Sequence, residues 1–191
     1  MKPQLGPRFD QALQYASELH RQQVRKGTDV PYISHLLSVT ALVLEDGGSE
    51  DEAIAALLHD AVEDQGGQAT LAEIRRRFGE QVAGWVMELS DTDMLPKPPW
   101  QERKEDYLEH LANASPEVLR ISLADKLHNA QSLLKDLRQE GEATWTRFNG
   151  GKAGTLWYYR QLAEIFQARL ASPRAAELEA VVSELESLAD S

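Results

Sequence analysis

The run AIAALLHDAVED at residues 53–64 constrains the fold more than any other stretch. At 3.6 residues per turn, Ile54, Leu57, Leu58, Ala61 and Val62 form one broad apolar face, which predicts a single helix buried on that side. Four polar residues interrupt it: His59, Asp60, Glu63 and Asp64. Helical spacing sets His59 one turn below Glu63, and Asp60 one turn below Asp64. An imidazole and a carboxylate among alanines and leucines are costly to bury unless something pairs with them. Hydrogen bonds at the end of a core helix are one answer. A metal ion or a catalytic role is the other.

The other apolar residues also repeat at helical spacing. Residues 8–24 read as a first helix, with His20 on its inward stripe as a core-facing histidine or a pocket-rim one. A turn punctuated by Gly27 and Pro31 carries Arg25 and Lys26. It leads to a helix over 34–45, capped by Ser34 and holding His35 in its first turn. Residues 46–50 and 64–70 read as turns, and 71–78 and 81–89 as short helices. Residues 90–101, SDTDMLPKPPWQ, have three prolines and no period, hence a loop with Asp91, Asp93, Lys97 and Trp100. Helices follow over 102–112, 117–140, from near Lys152 to 170, and 173–189, with 141–154 irregular. No β-alternating run, internal repeat, Walker loop or zinc-finger spacing is present. The expectation is an all-α helical bundle forming a single domain over residues 1–191. Its core spans about 8–170, the C-terminal helix packs on it, and irregular loops form a pocket rim. The apolar stripe of Leu178, Val181, Val182, Leu185 and Leu188 suits either intramolecular core or a subunit contact, so a monomer and a homodimer both stand.

Composition narrows the partners. Lys plus Arg number 20 against 31 Asp plus Glu, a net charge of -11 that repels nucleic acid and anionic membranes. No apolar run approaches the ~20 residues of a membrane span. The N-terminal MKPQLGPRFD lacks a signal core, so a cytoplasmic protein is expected. The absence of cysteine excludes thiol catalysis, disulfides and Cys-based zinc sites.

Asp125 sits mid-helix among apolar residues, where propensity disfavours it, with Asn129 one turn on. Pairing with Lys126 or Lys135 is one reason for it to be there, and metal ligation is another. His35, His59, Asp60 and Asp125 together offer imidazoles and carboxylates from three helices, a donor set for Mn, Fe, Co, Ni or Zn. An ion with open positions lowers the pKa of bound water. Glu63 and Asp64 are placed beside it as general base or water-orienting group and as proton donor. Arg25, Lys26, Arg103, Lys104 and Lys152 would neutralise an anionic substrate. The combination points to metal-assisted hydrolysis of a phosphoryl or pyrophosphoryl ester.

Four segments carry a family resemblance: ALQYASELHRQQVRKGTDVPYISHLLSV at 12–39, AALLHDAVED at 55–64, FGEQVAGWV at 78–86 and LADKLHNA at 123–130. Their H…HD…D pattern resembles the HD-domain metal-dependent phosphohydrolases. The HDxxED form and the preceding RKG…PY.xH resemble, within that family, the RelA/SpoT-type and MESH1-like guanosine polyphosphate 3′-pyrophosphohydrolases. The resemblance implies that His35, His59, Asp60 and Asp125 bind one manganese ion. It implies that Glu63 and Asp64 handle the attacking water and proton transfer. Arg25 and Lys26 would face the purine and its phosphates, Asn129 would line the nucleotide pocket, and Tyr158 or Tyr159 would reach the ribose. The implied reaction removes the 3′-pyrophosphate of ppGpp or pppGpp, giving pyrophosphate and GDP or GTP. The segments around MLPKPPWQERKEDYLEHL and KAGTLWYYRQLAEIF depart from the pattern. Two alternatives therefore stand beside it: an HD-type phosphohydrolase for another nucleotide, and a non-catalytic metal-containing protein that binds a nucleotide. At 191 residues without a synthetase or regulatory domain, a dual-function enzyme is not expected.

Overall fold

The computed structural model describes residues 5–90, 96–170 and 172–190. Among them the regular structure is ten α-helices and a 3-10 turn, with an isolated bridge between Val24 and Pro31. They gather in two compact units, Met1–Lys97 with Arg120–Ser122, and Pro98–Leu119 with Leu123–Ser191. No helix among the described residues is long and apolar enough to cross a membrane.

The first unit holds α1 (Pro7–Leu19), α2 (Ile33–Glu45), α3 (Glu50–Leu58), α4 (Ala61–Asp64), α5 (Gly67–Phe78) and α6 (Glu80–Leu89). Helix α3 is its centre and packs on α1, α2 and α6. Every residue from 53 to 58 is fully buried, as expected of a helix that is apolar all round. Ala53, Ala55 and Ala56 let neighbouring helices approach. Ile54, Leu57 and Leu58 each contribute roughly 1.5–3 kcal/mol by burial. A capping box starts the helix: Ser49 Oγ accepts from Glu52 N, and Glu52 Oε2 accepts from Ser49 N at 2.7 Å. Arg120 donates to the other Glu52 oxygen, so this buried carboxylate is satisfied on both sides.

Three expected boundaries move. The first helix stops at Leu19, because the backbone beyond it pairs across a loop: Tyr32 N bonds Gln23 O at 2.9 Å and Arg25 N bonds Val30 O at 2.8 Å. Gly27, at φ 76, supplies the left-handed residue that this tight reversal requires. Ser34 is not a cap, since its own N–H already bonds Pro31 O and α2 begins at Ile33. Helix α5 begins at Gly67, where the Thr70 hydroxyl donates to Gln65 O and orders a segment that composition suggested was open.

The second unit holds α7 (Trp100–Asn113), α8 (Pro116–Glu140, less Arg120–Ser122), the 3-10 turn Gly141–Arg147, α9 (Gly151–Arg169) and α10 (Pro173–Ala189). Ser115 and Ser172 cap α8 and α10, each with proline in the first turn. Helix α9 packs on α7 and α10. Leu162, Phe166, Leu178, Val182 and Leu185 are fully buried, so most of the apolar stripe on the last helix is intramolecular core. Arg160 ties α9 to α10 through Glu179 at 2.6 Å and Glu186 at 2.5 Å. The segment read as irregular resolves into the 3-10 turn and the start of α9. Trp100, expected in a loop, opens α7 and lies against Gly150, where an added Cβ would stand 2.6 Å from the indole. Asp91 and Asp93 lie outside the described residues.

Candidate active site

The expected single helix over 53–64 is broken at the His–Asp pair. Helix α3 ends at Leu58, Asp60 adopts φ -95 and ψ -1, and α4 restarts at Ala61. The cause is local. His59 Nδ1 lies 2.8 Å from Ala56 O, the carbonyl that an uninterrupted helix would offer to Asp60 N–H. A carbonyl only accepts, so Nδ1 carries the proton and Nε2 the lone pair. Nε2 faces Asp60 Oδ2 at 3.0 Å.

His35 enters from the first turn of α2 and is fully buried. Its Nε2 is 3.7 Å from the same Asp60 oxygen, and its ring meets that of His59 edge-on at 5.3 Å. Ring nitrogens of the two histidines lie within 4.8 Å of one another. Two buried imidazoles converging on a carboxylate are the mixed nitrogen and oxygen donors of a borderline divalent ion, so these residues fit a metal. Tyr32, just before α2, donates its hydroxyl to the same Asp60 Oδ2 at 2.5 Å and helps to fix that carboxylate.

Glu63 and Asp64 follow on α4. Lys97 donates to Glu63 Oε1 at 2.7 Å. Gln23 donates to Asp64 Oδ2 at 2.8 Å. Although Asp64 is an exposed residue, the protein around its carboxyl withdraws water from it and raises it above the usual aspartate range, and the charges of Asp60 and Glu63 push the same way. The bond from Gln23 and the nearby His20 oppose that rise without cancelling it. His20 is buried and bonds Gln23 Oε1 at 2.7 Å, as a core-facing histidine would. Arg25 and Lys26 sit in the loop before α2, with the Arg25 guanidinium 5.9 Å over the Tyr32 ring.

Asp125, Asn129, Lys104, Lys152 and Tyr158 belong to the second unit. Asp125 is buried, accepting from Asn129 Nδ2 at 2.6 Å and from Lys126 Nζ at 2.7 Å. The ion pair expected with Lys126 or Lys135 is therefore made with Lys126. Lys104 Nζ stands 5.0 Å over the ring of Tyr158, whose buried hydroxyl has no hydrogen-bond partner among the described residues. Burial pushes that phenol far above its ordinary range. The Lys152 ammonium bonds Glu142 at 2.9 Å and the Ala189 carbonyl at the C-terminal end of α10.

Sequence reasoning missed Tyr32, Gln23 and Lys97 as members of the site. Tyr32 had a signal, since it shares a helical turn with His35. Gln23 and Lys97 had none, being 41 and 34 residues from the carboxylates they bond.

Residues 12–156 match the family described as HD domain, and the chain belongs to that family. It is similar to guanosine-3′,5′-bis(diphosphate) 3′-pyrophosphohydrolase MESH1 of Xenopus tropicalis, 40% identical over 139 residues, covering 71% of this chain and 73% of the relative. The guanosine-3′,5′-bis(diphosphate) 3′-pyrophosphohydrolase of Aquifex aeolicus (strain VF5) is 38% identical over 133 residues, 69% of this chain but 18% of that longer relative. A solved structure described as a metazoan ortholog of SpoT that hydrolyzes ppGpp matches at a TM-score of 0.77 and 28% identity, covering 95% of this chain and 97% of that one.

Proposed function

We infer that this chain is a metal-dependent hydrolase that removes the 3′-pyrophosphate of ppGpp or pppGpp, releasing pyrophosphate and GDP or GTP. One observation carries the reading. The buried His35 and His59 converge on Asp60 one helical turn before Glu63 and Asp64, in a chain 40% identical to a relative named for that reaction. His35, His59, Asp60 and, from the second unit, Asp125 are the proposed ligands of one divalent ion, with manganese as the ion. When bound, the ion supplies Lewis acidity that makes water a nucleophile near neutral pH.

The chain's own residues divide the remaining work. Glu63, oriented by Lys97, accepts a proton from the attacking water. The bond that breaks joins the ribose 3′ oxygen to the pyrophosphoryl group, and that oxygen needs a proton as it leaves. Asp64, a weaker acid than an ordinary aspartate, holds that proton and delivers it. Arg25 and Lys26 take the purine and its phosphates, Asn129 lines the nucleotide pocket, Lys104 adds a further cation and Tyr158 reaches the ribose. The substrate class, the absence of cysteine and the acidic surface accord with a cytoplasmic enzyme.

The test is turnover of a small panel by the purified protein with and without manganese: ppGpp, pppGpp, dGMP and a 3′-phosphoadenosine compound. Pyrophosphate is expected from the first two alone, abolished by chelation and restored by the metal. Phosphate from dGMP with ppGpp untouched would overturn the substrate assignment. No turnover of any compound would overturn the hydrolase reading.

A further inference from the structure

Gln23 stands outside the donor set and outside the acid and base, yet it joins the end of α1 to the end of α4. Its Oε1 accepts from His20 Nδ1 at 2.7 Å and from Gln65 Nε2 at 2.6 Å, and its Nε2 donates to Asp64 Oδ2 at 2.8 Å. These contacts admit one orientation of the amide. Reversed, it would set an NH₂ group against the NH₂ of Gln65 and an oxygen against a carboxylate. The same logic places the His20 proton on Nδ1, because an amide oxygen only accepts.

The amide is also held from behind. The His20 ring is 2% exposed and stacks on Tyr32 at 5.3 Å, and Tyr32 in turn bonds Asp60. Its main chain is pinned as well, since Gln23 O accepts from Tyr32 N at 2.9 Å and Gln23 N donates to His20 O at 3.0 Å. Asp64, by contrast, ends the four-residue helix α4 on the exposed side. So short a helix does little by itself to hold a terminal side chain. An anchored donor thus faces a loosely supported carboxylate.

We propose that Gln23 is a positioning residue for hydrolysis: its anchored, one-way amide holds the Asp64 carboxyl group where, protonated, it can deliver that proton to the departing oxygen. The proposal rests on the hydrolase reading above for its catalytic half, while the Gln23–Asp64 link itself is testable without turnover.

Two variants carry the test. Gln23→Met keeps the length of the side chain and loses every polar contact. Gln23→Glu keeps an acceptor for His20 and Gln65 but turns an oxygen toward Asp64. With ppGpp at saturating manganese, both are expected to lower kcat about tenfold to a hundredfold, the scale of a misplaced catalytic group. KM should stay within about twofold, since substrate and metal contacts are untouched, and metal content should equal that of the wild type. A kcat within about twofold of wild type in a folded variant would overturn the proposal. Should Gln23→Met not fold, Gln23→Glu decides. A thermal cycle with Asp64→Ala gives the second readout. The Tm loss caused by Gln23→Met should shrink in the Asp64→Ala background, where the bond is already gone. Equal losses in both backgrounds would overturn the link whether or not the protein hydrolyses ppGpp. A wild type that releases no pyrophosphate, together with unequal losses, would sink the hydrolase reading and keep the link.

Discussion

The imidazole of His59 donates from Nδ1 to the Ala56 carbonyl at 2.8 Å, and this one bond both breaks the helix and aims the other ring nitrogen at Asp60. The carboxylate of Asp60 lies beside the two imidazoles, and α4 starts afresh with Glu63 and Asp64 on its single turn. A tautomer chosen by backbone geometry is how ligating histidines are commonly oriented.

Tyr32 supports Asp60 through its hydroxyl at 2.5 Å. Tyr32→Phe is expected to weaken manganese binding about 10–100-fold, the usual cost of removing an outer partner of a ligand. His59→Ala should abolish binding. Titration of the metal-free protein with manganese, followed by calorimetry, measures both. Unchanged affinity in Tyr32→Phe would show that the hydroxyl does not orient the ligand.

Glu63→Gln keeps the size of the side chain and removes the base. Metal content should match the wild type while turnover of ppGpp falls roughly 10²–10⁴-fold, the contribution typical of a positioned proton acceptor. Parallel metal analysis and pyrophosphate release check it, and normal turnover would remove Glu63 from its assigned role.

Asp64 predicts a pH dependence with a definite sign. Its folded carboxyl titrates above the ordinary 3.8 because withdrawal of water by the protein around it, then Asp60 and Glu63, disfavour the charged form. The ionised group is therefore less welcome in the folded chain than in the unfolded one. Stability present below the unfolded value is lost as pH rises through the raised folded value. Asp64→Asn removes that loss while keeping an oxygen for Gln23. Thermal scans of metal-free protein should show the variant melting higher than wild type at pH 7–8, with the two converging below about pH 3.8, where both side chains are neutral. A wild type that melts higher at pH 8 would contradict the assignment.

Gly150 is a packing constraint in the second unit. A Cβ there would meet the Trp100 indole at 2.6–2.9 Å, and the backbone φ of -79 is ordinary, so the penalty is steric alone. Gly150→Ala should destabilise by about 1–3 kcal/mol. For a chain of this size each kcal/mol lowers Tm by about 2–4 °C. The same substitution in a Trp100→Ala background should cost far less, which paired thermal melts would reveal.

Much of this molecule is legible in its sequence. The apolar spacing of Leu178, Val182 and Leu185 marked the buried side of α10, and Pro116 marked the first turn of α8. The donor residues were visible as types: histidine and aspartate set in apolar helices require a partner wherever they end up. Lys152 shows the limit of such reasoning. Nothing in its Gly-rich segment announces that its ammonium bonds the carbonyl at the end of another helix.

Helical class, the positions of most helices and the chemistry available to the site can all be read along the chain, because helical period and donor type are properties of neighbouring residues. That Lys97 reaches Glu63 and Gln23 grips Asp64 follows from tertiary packing alone. Both bonds join groups 34 and 41 residues apart, brought together by the fold, where local propensity has no say.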